Sequence, residues 1–271
     1  MQLNLPAFLL AVCAASGAVA SCPDPKSSDR VDVYPTAAEL PENLLRFYIY
    51  FPRPMGQDDI LKHIAIMDDT GATVEGALLS NRFDLWSPNR QRLTLLLDPG
   101  RVKTGLEAHE TLGRALEPGR RYTLSIRGAA LDFDGCQLGV ETAHSFSVGP
   151  ADLEPPAPAG WALSVPPAGT LEPLAVDLGS PHDHLSLAYR LRVRDSKGDI
   201  VPGAIELGQA ETVWRFVPKR PWAAAPHHVW IDERLEDLAG NRPGALFDRP
   251  LSSSAKGWAN EIPFQPIPTA P

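Results

Sequence analysis

LLRFYIYFPRPMGQDDILKHIAIMDDTGATVEGAL (residues 44–78) and LEPLAVDLGSPHDHLSLAYRLRVRDSKGDIVPGAI (residues 171–205) are two copies of one pattern. With residue 44 laid on residue 171 they align without a gap. Phe47, Ile49 and Phe51 fall on Leu174, Val176 and Leu178, and Ile64 and Ile66 fall on Leu191 and Val193. Pro54 falls on Pro181, Gly76 on Gly203, and Asp68-Asp69-Thr70-Gly71 on Asp195-Ser196-Lys197-Gly198. Apolar residues at every second position mark a strand with one buried face. Asp-x-x-Gly between two such runs is turn chemistry, because Asp tolerates turn geometry and Gly supplies positive φ. Each copy reads strand, proline-interrupted loop, strand, turn, strand.

The second half of each copy matches with gaps. Leu93, Leu95 and Leu97 alternate up to Asp98-Pro99, and Val213–Phe216 is the counterpart, ending at Pro218. Tyr122, Leu124 and Ile126 form the next strand; Val229 and Ile231 form its partner. Turns follow at Asp132-Phe133-Asp134-Gly135 and at Asp237-Leu238-Ala239-Gly240-Asn241. Phe146 and Val148 close copy one, and Leu246 and Phe247 open the expected last strand of copy two. Short strands at this spacing predict an all-β chain of two tandem immunoglobulin-like β-sandwich domains. The 28 prolines agree, at about twice the average share. Proline breaks helices and suits edge strands and turns. The expected boundaries are a signal peptide over 1–21, a first domain over 31–149, a proline-rich stiff linker over 150–160, a second domain over 161–251 and an extended tail over 252–271. Gly100–Pro118 is longer than its counterpart and has room for a helical turn.

Three short motifs resemble the bacterial immunoglobulin-like domain family of the S-layer-protein type. Phe51-Pro52-Arg53-Pro54-Met55 is similar to the family's F-S-x-P-M opening. Leu116-Glu117-Pro118-Gly119-Arg120-Arg121-Tyr122-Thr123-Leu124 is similar to L-x-P-G-x-x-Y-x-[VL], and Asp237–Asn241 fits D-x-x-G-N. The first copy departs from the last motif with Gly135-Cys136, and the second has Pro181-His182 in place of Pro-Met. The resemblance implies architecture, namely extracytoplasmic spacers, adhesive units or accessory domains. It implies no activity, since such folds host many functions.

Residues from Leu5 to Ala20 are almost entirely apolar and small, and Ala18-Val19-Ala20 offers a small-x-small cleavage site. That pattern predicts an exported protein, periplasmic or at the cell surface, although no Lys or Arg precedes the apolar run. Three fates are open to the cysteines left after cleavage. Val19-Ala20-Ser21-Cys22 resembles a lipobox, which would lipidate Cys22 and make an outer-membrane lipoprotein. Cys22 and Cys136 could instead form a disulfide in an oxidising compartment, or stay as free thiols. A formal charge of -8 disfavours nucleic acid as a partner.

No catalytic elbow, metalloprotease helix, phosphate loop or dinucleotide fingerprint is present, so the chain reads as a non-enzyme without a cofactor. Its expected partner is an envelope protein or a surface polymer. The best chemical constellation is histidine. His182 and His184 share one face if their segment is extended, and His227-His228 begin a later strand. These four residues are candidate ligands for a periplasmic, copper-type metal site, the alternative function. Spacing fixes no further ligand, and solvated loop histidines are the competing reading. The first strand also resembles the periplasmic copper-resistance family, but that family begins its mature chain with a histidine ligand, where this one has Ser21 or Cys22. Asp132–Gly135 resembles the start of a calcium loop yet lacks its later Gly and Glu. Glu233, Glu236 and Asp237 suggest a solvated, charged edge. Trp214, Trp222 and Trp230 suggest core.

Overall fold

The computed structural model describes residues 22, 30–56, 60–79, 85–102, 107–247 and 259–268; the expected signal peptide over 1–21 lies outside them. The first half contains β1 (Asp32–Tyr34), β2 (Glu39–Pro41), β3 (Arg46–Tyr50), β4 (Ile64–Asp68), β5 (Arg92–Leu96), β6 (Arg121–Ile126) and β7 (Thr142–Gly149). They form two sheets of order β1-β3-β5 and β2-β7-β6-β4, with β2 parallel to β7. The second half contains β8 (Ala162–Ser164), β9 (Leu174–Asp177), β10 (Leu191–Asp195), β11 (Gly203–Leu207), β12 (Val213–Pro218), β13 (His227–Ile231) and β14 (Glu261–Phe264). These form sheets β11-β12-β9-β8 and β10-β13-β14. Lettered A to G in chain order, that is DEBA on CFG, the strand order of a constant-type immunoglobulin sandwich. The fold is all-β and immunoglobulin-like.

The repeat is a repeat of buried faces. Phe47, Ile49 and Phe51 on one side and Leu174, Val176 and Leu178 on the other are all buried, as are Ile64, Ile66, Leu191 and Val193. They fall in two separate apolar cores, one per sandwich. The paired turns share one device. Asp68 Oδ1 accepts the amides of Thr70 and Ala72, at 3.0 Å each, and Asp195 Oδ1 accepts those of Lys197 and Asp199 at 2.9 and 3.0 Å. Gly71 and Gly198 sit at φ +82° and +87°, where a side chain is strained. In the first sandwich Tyr122 makes a tyrosine corner: its hydroxyl accepts the Glu117 amide at 3.0 Å. This gives the tyrosine of the Leu116–Leu124 motif a structural reason.

Three expectations need correction or refinement. The strand closing the second sandwich is not opened by Leu246 and Phe247. It is β14, inside the stretch expected to be an extended tail, and it pairs antiparallel with β13. Pro263 sits opposite His228 there, tolerated because an edge strand need not donate on both sides. The segment around His184 is not extended either. It is a helix, α3 (His184–Arg190), and Asp183 is its N-cap, accepting the Ser186 amide at 2.8 Å. We label the two short helices of the long first-copy loop α1 (Pro99–Val102) and α2 (Glu107–Leu112). No helix among the described residues is long and apolar enough to cross a membrane.

Cys22 and Cys136 are joined by a disulfide. A disulfide sulfur has no valence left for a thioether, so lipidation of Cys22 is incompatible with this form of the chain. The bond spans 114 residues and ties the segment before β1 to the Asp132 turn. Closing a loop of that size removes much unfolded-state freedom. Cys136→Ser, or reduction, is expected to lower stability by about 2–4 kcal/mol in denaturant titrations. An unchanged midpoint would mean that the bond stores nothing.

Candidate functional site

The richest polar arrangement lies where the two sandwiches meet. Arg46 and Tyr48 alternate with Phe47 on β3, so they leave the first core and reach the second sandwich. The Tyr48 hydroxyl lies 3.0 and 2.8 Å from the two carboxylate oxygens of Asp183. Arg46 Nε stands 3.4 Å from Asp183 Oδ2, and its guanidinium is also paired tightly with Glu236. Asp183 therefore caps a helix, accepts a phenol and faces a guanidinium while almost fully buried. Burial pushes its carboxyl upward, and the Arg46 charge opposes that. Burial also pushes the Tyr48 phenol far up, helped by the Asp183 charge, so it stays a donor.

Two further contacts flank this lock. Glu211 is buried, and it accepts the Thr36 amide at 2.8 Å and the Thr36 hydroxyl at 3.0 Å. Ala210 and Glu211 both occupy the left-handed region, at φ +60° and +52°, a strained state for non-glycine residues that the Thr36 contacts help to hold. The His184 ring stacks on Tyr34 with centroids 3.8 Å apart. On the other flank the Asp237–Asn241 turn plugs the first sandwich. Leu238 joins the first core, and its carbonyl accepts the Leu45 amide at 3.0 Å. Gly240 has φ +78°, so the turn needs glycine, and a Cβ there would come within 2.7 Å of a Leu45 methyl. Asn43 and Asn241 both bind the Asp152 carbonyl, pinning the linker to each side.

Beside the lock opens a cleft of about 590 Å³. Five arginines line it: Arg46, Arg92, Arg190, Arg234 and Arg242. Against them stand Asp183 and Glu236 in the wall and Asp232, which pairs with Arg190 at 3.2 Å and with Arg234 at 2.8 Å. Glu236 also accepts from Arg242 at 2.6 Å. So Glu236 is no solvated edge residue, and Asp237 is buried as the anchor of its turn.

The structure does not bring the four candidate histidines together. His227 and His228 lie opposite Asp195 and Arg194 at the start of β13, whereas His182 is bridged to Asp237 beyond the other end of that strand. His184 is on α3 against Tyr34. His227 faces Asp195 as Tyr122 faces Asp68, so it holds the place of the tyrosine corner, with Nδ1 2.7 Å from the Ala225 carbonyl. Among the described residues no three His, Cys, Asp or Glu side chains converge as metal ligands. Asp132 in the calcium-like turn is occupied by the amides of Asp134 and Cys136 and by Arg53. Trp214 and Trp222 are core, and Trp230 lies under the Arg194 guanidinium at 4.5 Å.

Of the lock residues only Glu236 stood out in the sequence, as part of a charged edge; Asp183 lies between two histidines, and Arg46 and Tyr48 lie inside the apolar run 44–51. The signal that could have found them was Asp183 ahead of the helix-compatible run His184–Arg190.

No family model matches the chain, and no curated protein matches it. Solved structures similar to it include the S-layer protein rSbsC, at 18% identity and TM-score 0.27, over 69% of this chain and 22% of that one. The chain thus spans about a fifth of that S-layer structure. The MG0-NIE-MG1 region of Escherichia coli alpha-2-macroglobulin is 13% identical, with TM-score 0.28, over 87% and 90% of the two chains. The Ig1-2 module of the Drosophila receptor protein tyrosine phosphatase DLAR is 12% identical, with TM-score 0.25, over 76% and 92%. Superpositions this loose carry no argument, and the immunoglobulin-like assignment rests on strand order.

His182 provides a check on the buried polar groups. Its Nδ1 lies 2.9 Å from the Ser180 carbonyl, which can only accept, so the neutral ring carries its proton there. Burial lowers its pKa from 6.5 to about 4. The folded state therefore favours neutral His182. That stabilisation is complete above pH 6.5 and is lost as pH falls toward 4. Asp237 works in the opposite sense: burial and the Asp152 charge raise it from 3.8 to about 7, so its contribution is full below pH 3.8 and is lost as pH rises toward 7. His182→Gln is expected to flatten the loss between pH 7 and 4.5 by about 2–3 kcal/mol. Nitrogen-detected NMR should show an Nδ1–H tautomer persisting below pH 5; a ring titrating near 6.5 would contradict the burial.

Proposed function

We propose that this chain is an exported, non-catalytic binding or scaffold module of the cell envelope, whose two sandwiches act as tandem immunoglobulin-like domains fixed at one angle. Its partner is an envelope protein or a surface polymer. The observation that carries this reading is the buried lock of Arg46, Tyr48, Asp183 and Glu236. Groups that elsewhere serve as acids, bases or ligands are here used up in holding one sandwich to the other. A spacer or binding platform gains from that use, because a fixed angle presents a composite surface without an ordering cost. The apolar N-terminal run and the S-layer-type motifs support the envelope setting. The disulfide supports an oxidising compartment.

Small-angle X-ray scattering of the oxidised mature chain is expected to fit a single rigid shape. Arg46→Ala leaves Asp183 and Glu236 without their shared cation, and breaking a buried pair on one side costs about 3–5 kcal/mol. Tyr48→Phe keeps the ring and removes one hydrogen bond, at about 1–3 kcal/mol. Both variants are expected to broaden the distance distribution while each sandwich keeps its β-sheet circular dichroism. A wild-type chain that already scatters as two freely jointed bodies would overturn the proposal. Mass spectrometry of the exported protein checks the cleavage before Ser21 or Cys22.

A further inference from the structure

The arginine-lined cleft is an anomaly in an acidic protein. The chain carries a formal charge of -8, yet five guanidiniums converge on one hollow against Asp183, Glu236 and the underlying Asp232. Two positive charges are left over. The lock explains Arg46, whose two carboxylate partners are both buried or nearly so. Arg242 reaches the lock's Glu236 from the open side and Arg190 and Arg234 share Asp232, while Arg92 lies outside the lock; these four ring the mouth. Arg92 bonds Tyr50 but keeps its buried Nε without a hydrogen-bond partner. Arg234 and Arg242 leave about half of their side chains exposed, at 58% and 49%. Tyr189 is 57% exposed at the same mouth, although it lies on α3 about one turn from buried Ser186.

Arginine forks match planar carboxylates and phosphates, and clefts focus the field of their wall charges. An exposed tyrosine adds a flat apolar face with low conformational cost, suited to the apolar side of a sugar ring. Beside its guanidinium and carboxylate groups the cleft is lined by Tyr48, Leu185, Ser186 and Tyr189.

We propose that this cleft binds an anionic saccharide, with Arg92, Arg190 and Arg234 holding the acidic group and Tyr189 stacking on the ring. This deepens the binding reading above by naming the surface polymer's chemistry, and it rests on that reading. The acidic group is a carboxylate or a phosphate; the first belongs to uronate glycans and the second to sugar phosphates.

The test is calorimetric titration of the oxidised mature chain with three probes: a galacturonate tetrasaccharide, glucose 6-phosphate and a neutral glucose tetrasaccharide. At least one acidic probe is expected to bind at least tenfold more tightly than the neutral one, with affinity falling as salt rises. The winning probe distinguishes a uronate from a phosphate ligand. Arg190→Gln and Arg92→Gln are each expected to weaken it about tenfold. Tyr189→Ala is expected to weaken it several-fold while leaving the melting temperature unchanged, since Tyr189 is exposed. Equal binding of neutral and acidic probes, no binding of any, or acidic binding untouched by these substitutions would each overturn the proposal. Scattering on the same samples separates the two readings: a rigid chain that ignores acidic sugars removes the ligand and leaves the scaffold.

Discussion

Asp183 is a buried carboxylate that must be neutralised and hydrogen-bonded, and the junction between the sandwiches is arranged around that need. A carboxylate taken out of water is costly unless paired and fully bonded. Here the helix α3 N-terminus supplies the Ser186 amide, β3 supplies the Tyr48 hydroxyl, and Arg46 supplies the charge. None of these donors can leave without stranding the anion. The two sandwiches, joined by a chain that runs through the pinned residue Asp152, are thereby bound through a group neither could bury alone. Apolar contact by itself would allow sliding. The Leu45–Leu238 contact seals the flank, and the charged lock sets the angle.

The same turn chemistry appears four times, with different tasks. Asp68, Asp132, Asp195 and Asp237 each offer Oδ1 to amides two and four residues onward. At Asp68 and Asp195 the turns are exposed, and hydrogen bonds hold both carboxylates below their usual range. At Asp132 the carboxylate is buried beneath an exposed turn, which the disulfide staples at Cys136. At Asp237 it is driven into the neighbouring sandwich, so burial beats the hydrogen bonds and the carboxyl rises. One local motif supplies hairpins, an anchor and a docking plug, and only the surroundings decide which.

The parts that could be read in the sequence are those set by local periodicity. Phe47, Ile49 and Phe51 alternate because β3 has one core face, and the gapless offset carried the same reading to Leu174, Val176 and Leu178. The parts that could not be read are set by what lies across the molecule. β14 carries Pro263 and is stabilised by β13, so its own residues gave no strand signal. His182 and His184 looked like ligands with His227 and His228 because each pair is close in sequence; strand direction then placed the two pairs at different ends of β13, with His182, His184 and His227 each against aromatic rings. Asp183, which lies between two histidines in the sequence, is the residue on which the junction turns.

The lock and the cleft beside it are not independent. Arg46 and Glu236 belong to both, and Arg242 reaches Glu236 from the open side. The arginines therefore cannot be removed from the cleft wholesale without releasing carboxylates that the interface has dehydrated. That dependence keeps four of the guanidiniums at fixed positions, since Arg46, Arg190, Arg234 and Arg242 are each held by an anion. Pre-organised charge is worth more than the same charge on free side chains, because little ordering remains to be done when a ligand arrives. Rigid junction and cationic cleft follow from one arrangement of acids and arginines.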